Sequence, residues 1–116
     1  MNVNALIKKS LAPTKLPVYA DFAREKNEEY IVFNYVSEPY DNFSDNAPEN
    51  DYTSLQLHYF TKKNPHSAKK EIAELLFDAG FDVAIGATSY EEDTKYNHTV
   101  YDIGIDGVVE LNEREG

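Results

Sequence analysis

The chain has no cysteine and no tryptophan, one methionine, and only five glycines and five prolines among 116 residues. Without cysteine it forms neither a disulfide framework nor a thiolate metal site. No apolar run approaches the roughly 20 residues of a membrane-spanning helix. The opening residues also lack the charge order and the cleavage site of a secretory signal. These absences favour a globular domain without a membrane span.

Basic residues are scarce as well. Eleven lysines and arginines stand against 21 aspartates and glutamates, which gives a net charge of −10. Binding to a phosphate backbone requires clustered lysine and arginine, so we expect no direct grip on nucleic acid. A hydrophobic content of 41% and this length predict one domain over residues 1–116 with a single core.

Two segments have helical periodicity. The first covers residues 3–12 and ends before Pro13, which cannot continue a helix. The second covers residues 65–79, follows Asn64 as the predicted N-cap, and ends at Gly80, where a left-handed residue commonly closes a helix. Both apolar stripes are narrow, so each helix buries one side only.

Five segments have the alternation or β-branched and aromatic content of strands. They are 18–22, 30–36, 52–60, 81–90 and 99–106. The predicted fold class is therefore α+β in the order α-β-β-β-α-β-β, with two helices packed on one face of a mostly antiparallel sheet. The predicted core includes Phe33, Leu57, Ile72, Leu75, Leu76, Ile103 and Ile105.

The second face of this sheet has a mixed composition. Alternation assigns to it the apolar Val32, Val36, Phe60 and Val100 together with the polar Asn34, Gln56, His58 and Asp102. A face that is half apolar suits burial against another subunit better than full exposure to water.

A long acidic loop over residues 37–51 separates two of the strand patterns. It contains five acids, three asparagines, two aromatics and no base, and loops of about 15 residues are usually functional or disordered. We expect it to become ordered against a partner, with Tyr40 and Phe43 as the main contacts and with weaker, salt-dependent contributions from the carboxylates. The candidate partner-binding residues are Tyr40, Asp41, Phe43, Asp45, Glu49 and Asp51. The polar C-terminal tail is expected to fray.

The residues after this loop are basic. Lys62, Lys63, Lys69 and Lys70 occur between residues 52 and 70 without an acid. One interpretation is ordinary surface variation. The other is a head-to-tail contact between one subunit's acidic loop and its neighbour's lysines, which would generate a ring if the rotation closes.

Candidate catalytic chemistry is sparse. His98 and Asp102 lie four residues apart on one strand, and His58 would join them only if its strand were a neighbour. A zinc site needs three or four converging ligands, so we interpret these residues as a polar row. No nucleophile or phosphate-loop motif occurs. The sequence predicts no metal, no cofactor and no enzymatic activity.

Four segments together resemble the tail-completion and tail-terminator proteins of long-tailed bacteriophages. They are MNVNALIKKSLAP, LPVYADFAREKNEEYIVFNYVSEPY, NPHSAKKEIAELLFDAGFDV and YNHTVYDIGIDGVVEL. They are similar, in this order, to that family's first helix, its paired strands before a variable loop, its central helix with the following strand, and its closing strand. The resemblance is one of order, length and pattern over nearly the whole chain.

The resemblance implies a structural protein of the virion, assembled in the bacterial cytoplasm. Such a subunit would form a ring, typically a hexamer, that ends tail-tube growth and contacts tail-tube and head-completion proteins. DNA would pass through the ring without being gripped, since an acidic channel repels phosphate. Two alternatives remain open: an acidic inhibitor or DNA mimic that binds a basic partner, and a small metal-dependent enzyme built on His98 and Asp102.

Overall fold

The computed structural model describes residues 2–36 and 52–106. Their elements are α1 (Val3–Leu11), a short 3-10 turn (Ala12–Thr14), β1 (Val18–Ala20), β2 (Glu29–Tyr35), β3 (Tyr52–Thr61), α2 (His66–Asp78), β4 (Asp82–Glu91) and β5 (Tyr96–Asp106). The five strands form one sheet in the order β1-β2-β3-β5-β4. Only β1 and β2 pair in parallel; the other three pairs are antiparallel. The predicted α+β class and element order are confirmed.

Both helices lie on one face of the sheet and share its core. Val3, Ile7 and Leu11 of α1 are fully buried, as are Ile72 and Leu76 of α2. They belong to the same cluster as the inward residues of β2, β3 and β5. Every predicted core residue is buried except Leu75, which is partly buried and packs against that cluster.

The helix ends follow from local hydrogen bonding. The side chain of Asn2 accepts a 2.8 Å bond from the Ala5 amide and caps α1. Helix α2 begins at His66, one residue later than predicted, so its N-cap is Pro65 and the prediction of Asn64 is wrong. Asn64 Oδ1 accepts the His66 amide at 3.0 Å from the turn before the helix. Gly80 has a φ of 107° and follows the last turn, as predicted.

Two strand boundaries differ from the prediction by more than one residue, and the other displaced ends differ by one. Strand β1 stops at Ala20 because Asp21 adopts a left-handed φ of 74°, which turns the chain and leaves Phe22 exposed. Strand β5 begins at Tyr96, three residues earlier than predicted, and the Tyr96 ring is buried. Packing of one aromatic ring therefore extends β5 into a stretch of polar sequence.

No helix in the parts of the chain that the structure describes is long and apolar enough to cross a membrane.

Candidate functional site

The face of the sheet opposite the helices is the candidate functional site. We call it the uncovered face, because no helix of the described residues packs on it. The strand register aligns Val32, His58 and Val100 in one row and Asn34, Gln56 and Asp102 in the next. The mixed apolar and polar composition predicted for this face is thus present in adjacent strands.

One end of the uncovered face holds an aromatic cluster. The Tyr30 and Phe60 rings stack with centroids 4.9 Å apart, and Phe60 stacks on His98 at 4.3 Å. Tyr96 meets Tyr30 and Phe60 edge-on, and its hydroxyl donates a 2.6 Å bond to the Asn27 carbonyl. Ring pairs in these geometries stabilise by about 0.5–1.5 kcal/mol beyond area burial. This part of the face is a second packing centre, separate from the core under the helices.

A hydrogen-bonded chain of three side chains runs beside that cluster. His58 Nδ1 lies 2.8 Å from His98 Nε2, and His98 Nδ1 lies 3.1 Å from Glu91 Oε2. With Glu91 ionised, His98 donates from Nδ1 to the carboxylate, and one proton between His58 Nδ1 and His98 Nε2 completes the chain, with either nitrogen as its donor. Protonating both would put two N–H groups against each other and break the His58–His98 bond.

The environment of His58 opposes its protonation. Burial lowers its pKa below the ordinary value of 6.5, the neighbouring His98 lowers it further, and Asp102 acts in the opposite direction. Burial lowers a histidine pKa because the cation loses solvation. His58 is therefore held in its neutral form on the uncovered face.

This shift predicts a pH-dependent stability. A base whose folded pKa lies below its unfolded pKa binds fewer protons when folded. The contribution of neutral His58 to the free energy of unfolding is therefore complete at pH values above its ordinary pKa of 6.5. It is lost as the pH falls from there through the lower pKa of His58 in the folded state. We expect the free energy of unfolding to decrease as the pH falls through this range, and we expect His58→Gln to make that decrease smaller. Urea unfolding at several pH values measures the free energy of unfolding. The series stays above about pH 5, because Asp and Glu side chains titrate below that value.

The titratable groups that act on His58 are His98 and Asp102, and Lys26 lines the same depression. Glu91 contacts His98 and not His58. A matched control is His66→Gln, because His66 is exposed at the start of α2. An unaltered pH dependence in the His58 variant would contradict this assignment.

A depression of about 380 Å³ lies between this face and the turn after β1. Asn34 contributes a buried Oδ1 that has no hydrogen-bond partner among the described residues. A buried polar atom without a partner costs free energy that a bound donor would recover. The depression is lined mainly by Phe22, Lys26, Tyr30, Asn34, His58 and His98.

A second depression, of about 440 Å³, lies at the other end of the uncovered face. The Tyr52 ring lies over Gly104, and its hydroxyl donates a 2.6 Å bond to Asp82 Oδ2. That bond, followed by burial, raises the pKa of Tyr52 to about 12. Tyr52 is 48% exposed, so its neutral phenol, whose single O–H is donated to Asp82, remains an accessible acceptor at this end.

The structure brings together only some of the residues considered from the sequence. His58 and His98 are in contact. Asp102 does not join them in a hydrogen bond and instead accepts one from the Gln56 side-chain amide at 3.4 Å. Within residues 2–36 and 52–106 no three His, Asp or Glu side chains are grouped so as to hold a metal ion. The loop candidates Tyr40, Asp41, Phe43, Asp45, Glu49 and Asp51 lie outside the described residues.

Three of the four lysines after the loop make contacts within the subunit. Lys62 Nζ lies 5.0 Å from the centroid of the Tyr96 ring, and Lys63 pairs with Glu29 at 3.8 Å. Lys69 donates a 3.0 Å bond to Thr88. These contacts give the lysines a role within the fold.

Sequence reasoning missed the aromatic cluster and the participation of Glu91. Tyr30, Phe60 and Tyr96 occur on three different strands, and Glu91 ends a fourth. These residues become neighbours through the register between strands. Alternation of side chains within one strand carries no information about that register.

A scan against protein-family models found no match, and a search of the curated proteins found no significant one.

Proposed function

We propose that this chain is a structural, non-catalytic subunit that assembles into a ring, caps a phage tail tube and joins the tail to the head. The observation that carries the proposal is the uncovered face. An antiparallel sheet with helices on one side can leave its other side to water, but such faces are then mainly polar. This one has valines, tyrosines and a phenylalanine among its polar residues, a composition typical of an interface.

Two further features support a binding role over a catalytic one. Among the described residues the two histidines are committed to each other and to Glu91 rather than to a hydroxyl nucleophile. Exposed apolar side chains also border the face, namely Phe22 and Tyr52 at its two ends and Val36 beside Tyr52. The resemblance to tail-completion proteins implies that the partners are other copies of the chain, tail-tube proteins and head-completion proteins.

A variant of the uncovered face tests the proposal. Val32 and Val100 flank His58 across the sheet and are partly buried, so a glutamate there can still reach water. We expect the double variant Val32→Glu and Val100→Glu to keep its secondary structure. We expect it to abolish the joining of phage heads to phage tails. The assay is complementation of a phage or prophage that lacks the gene, scored by electron microscopy for unjoined heads and tails.

The matched control is Lys70→Glu, which adds one carboxylate on the exposed side of α2. It should complement fully. If the double variant joins heads to tails as well as the wild type does, the uncovered face is not the docking surface. If the wild type itself fails to complement, the tail-completion role is wrong.

A further inference from the structure

The two edges of the sheet carry opposite charge. Residues 66–91, which form α2 and β4, contain five acids and two lysines, and residues 3–28, from α1 through the turn after β1, contain five bases and three acids. The strand order puts β4 at one edge and β1 at the other. Helix α2 packs against β4, and α1 packs against β1. The topology thus converts a difference along the chain into an acidic edge and a basic edge on opposite sides of one subunit.

The acidic edge, formed by α2 and β4, has an apolar groove of about 240 Å³. Phe77 is 67% exposed there and Ile85 is 47% exposed. The carboxylates of Glu74 and Asp78 line the same groove, and neither has a basic partner among the described residues. Large apolar side chains left in water beside unpaired carboxylates are typical of an unoccupied interface.

Strand β4 also has a free edge. Its ten residues pair only with β5 in the described sheet, so the outer backbone groups are available. A long exposed edge strand promotes pairing with another chain unless it is covered or disrupted. The irregularity between Ile85 and Thr88 interrupts it once.

The basic edge, formed by α1, β1 and the turn after β1, has a matching chemistry. Phe22 is 65% exposed, and the Arg24 guanidinium lies 5.9 Å from the centroid of its ring. Lys26 is exposed in the same turn. Aromatic and arginine side chains are the residues that most often dominate interface energies, and here the left-handed Asp21 presents both of them to solvent.

We propose that the acidic edge of one subunit binds the basic edge of a second copy of this chain. Phe22 packs on Phe77 and Ile85 in the groove, and Arg24 and Lys26 pair with Glu74 and Asp78. The two surfaces differ, so the contact is head-to-tail and its repetition closes a ring or continues as a filament. The inference rests on the proposed function, which requires identical subunits to associate.

Charge reversal tests the contact in both directions. The acidic-edge variant is Glu74→Lys with Asp78→Lys, and the basic-edge variant is Arg24→Glu with Lys26→Glu. Like charges facing each other across an interface oppose association, so we expect each variant alone to self-associate at least about tenfold more weakly than the wild type. Sedimentation velocity over a concentration series, at low and at physiological salt, measures the association. Circular dichroism checks that each variant is folded.

A 1:1 mixture of the two variants should restore association. Every contact between the two different variants is either a native pair of edges or a fully reversed pair, so alternating subunits have opposite charges at each contact. Simple misfolding of either variant cannot produce this rescue. The matched control is Glu92→Lys with Asp93→Lys, which makes the same charge change in the turn after β4 and should leave association unchanged.

The outcomes separate this inference from the proposed function. If the wild type associates and neither reversal weakens it, the edge contact is wrong and self-assembly stands. If both variants are weakened but the mixture is not rescued, the edges do not face each other. If the wild type stays monomeric throughout the series, both the inference and the proposed ring fail, and an acidic protein that binds a basic partner becomes the better account.

Discussion

Leu76→Ala is expected to lower the free energy of unfolding by about 2–5 kcal/mol. Leu76 has no exposed surface and belongs to the cluster in which both helices meet the sheet. Truncation removes buried methyl groups and leaves a cavity in a cluster that also contains Phe33, Tyr59 and Tyr101, and a close-packed interior fills such a cavity only in part. Equilibrium urea unfolding followed by circular dichroism measures the change.

The adjacent residue provides the control. Phe77 is 67% exposed, so Phe77→Ala should change the free energy of unfolding by less than about 0.5 kcal/mol, as is usual at the surface. Equal effects at positions 76 and 77 would mean that α2 packs on the sheet with another side. Phe77→Ala should nevertheless weaken self-association, because Phe77 lines the groove of the acidic edge.

Gly86→Ala is expected to destabilise the fold by about 1–3 kcal/mol, the usual cost of an added methyl group in a tightly packed site. A Cβ at position 86 would lie 2.8 Å from the Val100 carbonyl oxygen. The glycine lies at the irregularity of β4, between Ile85 and Thr88, where the two strands approach closely. A backbone atom cannot move aside without disturbing the β4–β5 ladder. Thermal and urea unfolding both measure this effect.

Gly104 provides the contrasting case. A Cβ there would collide with the Tyr52 side chain, and the obstacle is a half-exposed ring that can rotate away. Gly104→Ala should cost about the net value of the lost Tyr52–Asp82 hydrogen bond, roughly 0.5–1.5 kcal/mol. In a Tyr52→Ala background that cost should disappear, while the cost of Gly86→Ala should persist. If Tyr52→Ala relieved both substitutions equally, the backbone contact at Gly86 would not be the cause.

Much of the fold follows from local patterns in the sequence. The apolar stripe through Ile72 and Leu76 predicts the buried side of α2, and alternation over residues 30–36 and 99–106 assigns the inward residues of β2 and β5. These patterns predict burial correctly because each element buries one side only. The spacing of the apolar side chains therefore shows which side of the element faces the core.

The arrangement of the strands could not be derived in the same way. Nothing in the local pattern requires β5 to lie between β3 and β4, or β1 to run parallel to β2. The contact of His58 with His98 and the opposite positions of the two charged edges both depend on that order. The left-handed Asp21 and the early start of β5 at Tyr96 are likewise consequences of tertiary packing.

The site therefore separates into a predictable and an unpredictable part. The mixed composition of the uncovered face follows from alternation around Val32, Asn34 and His58. The hydrogen-bonded chain to Glu91 and the grooves at the edges require the register between strands. Functional surfaces built across several strands are hidden from sequence patterns for this reason, since neighbours in space are distant in the chain.

The claim that this chain is a ring-forming subunit is tested most directly by imaging the purified protein. Negative-stain electron microscopy, combined with the solution mass across a concentration series, distinguishes a closed ring from open chains and from single subunits. The account predicts closed rings of one defined size, six subunits if the resemblance to tail-completion proteins holds, which dissociate on dilution. A single 116-residue subunit at every concentration and salt would contradict it.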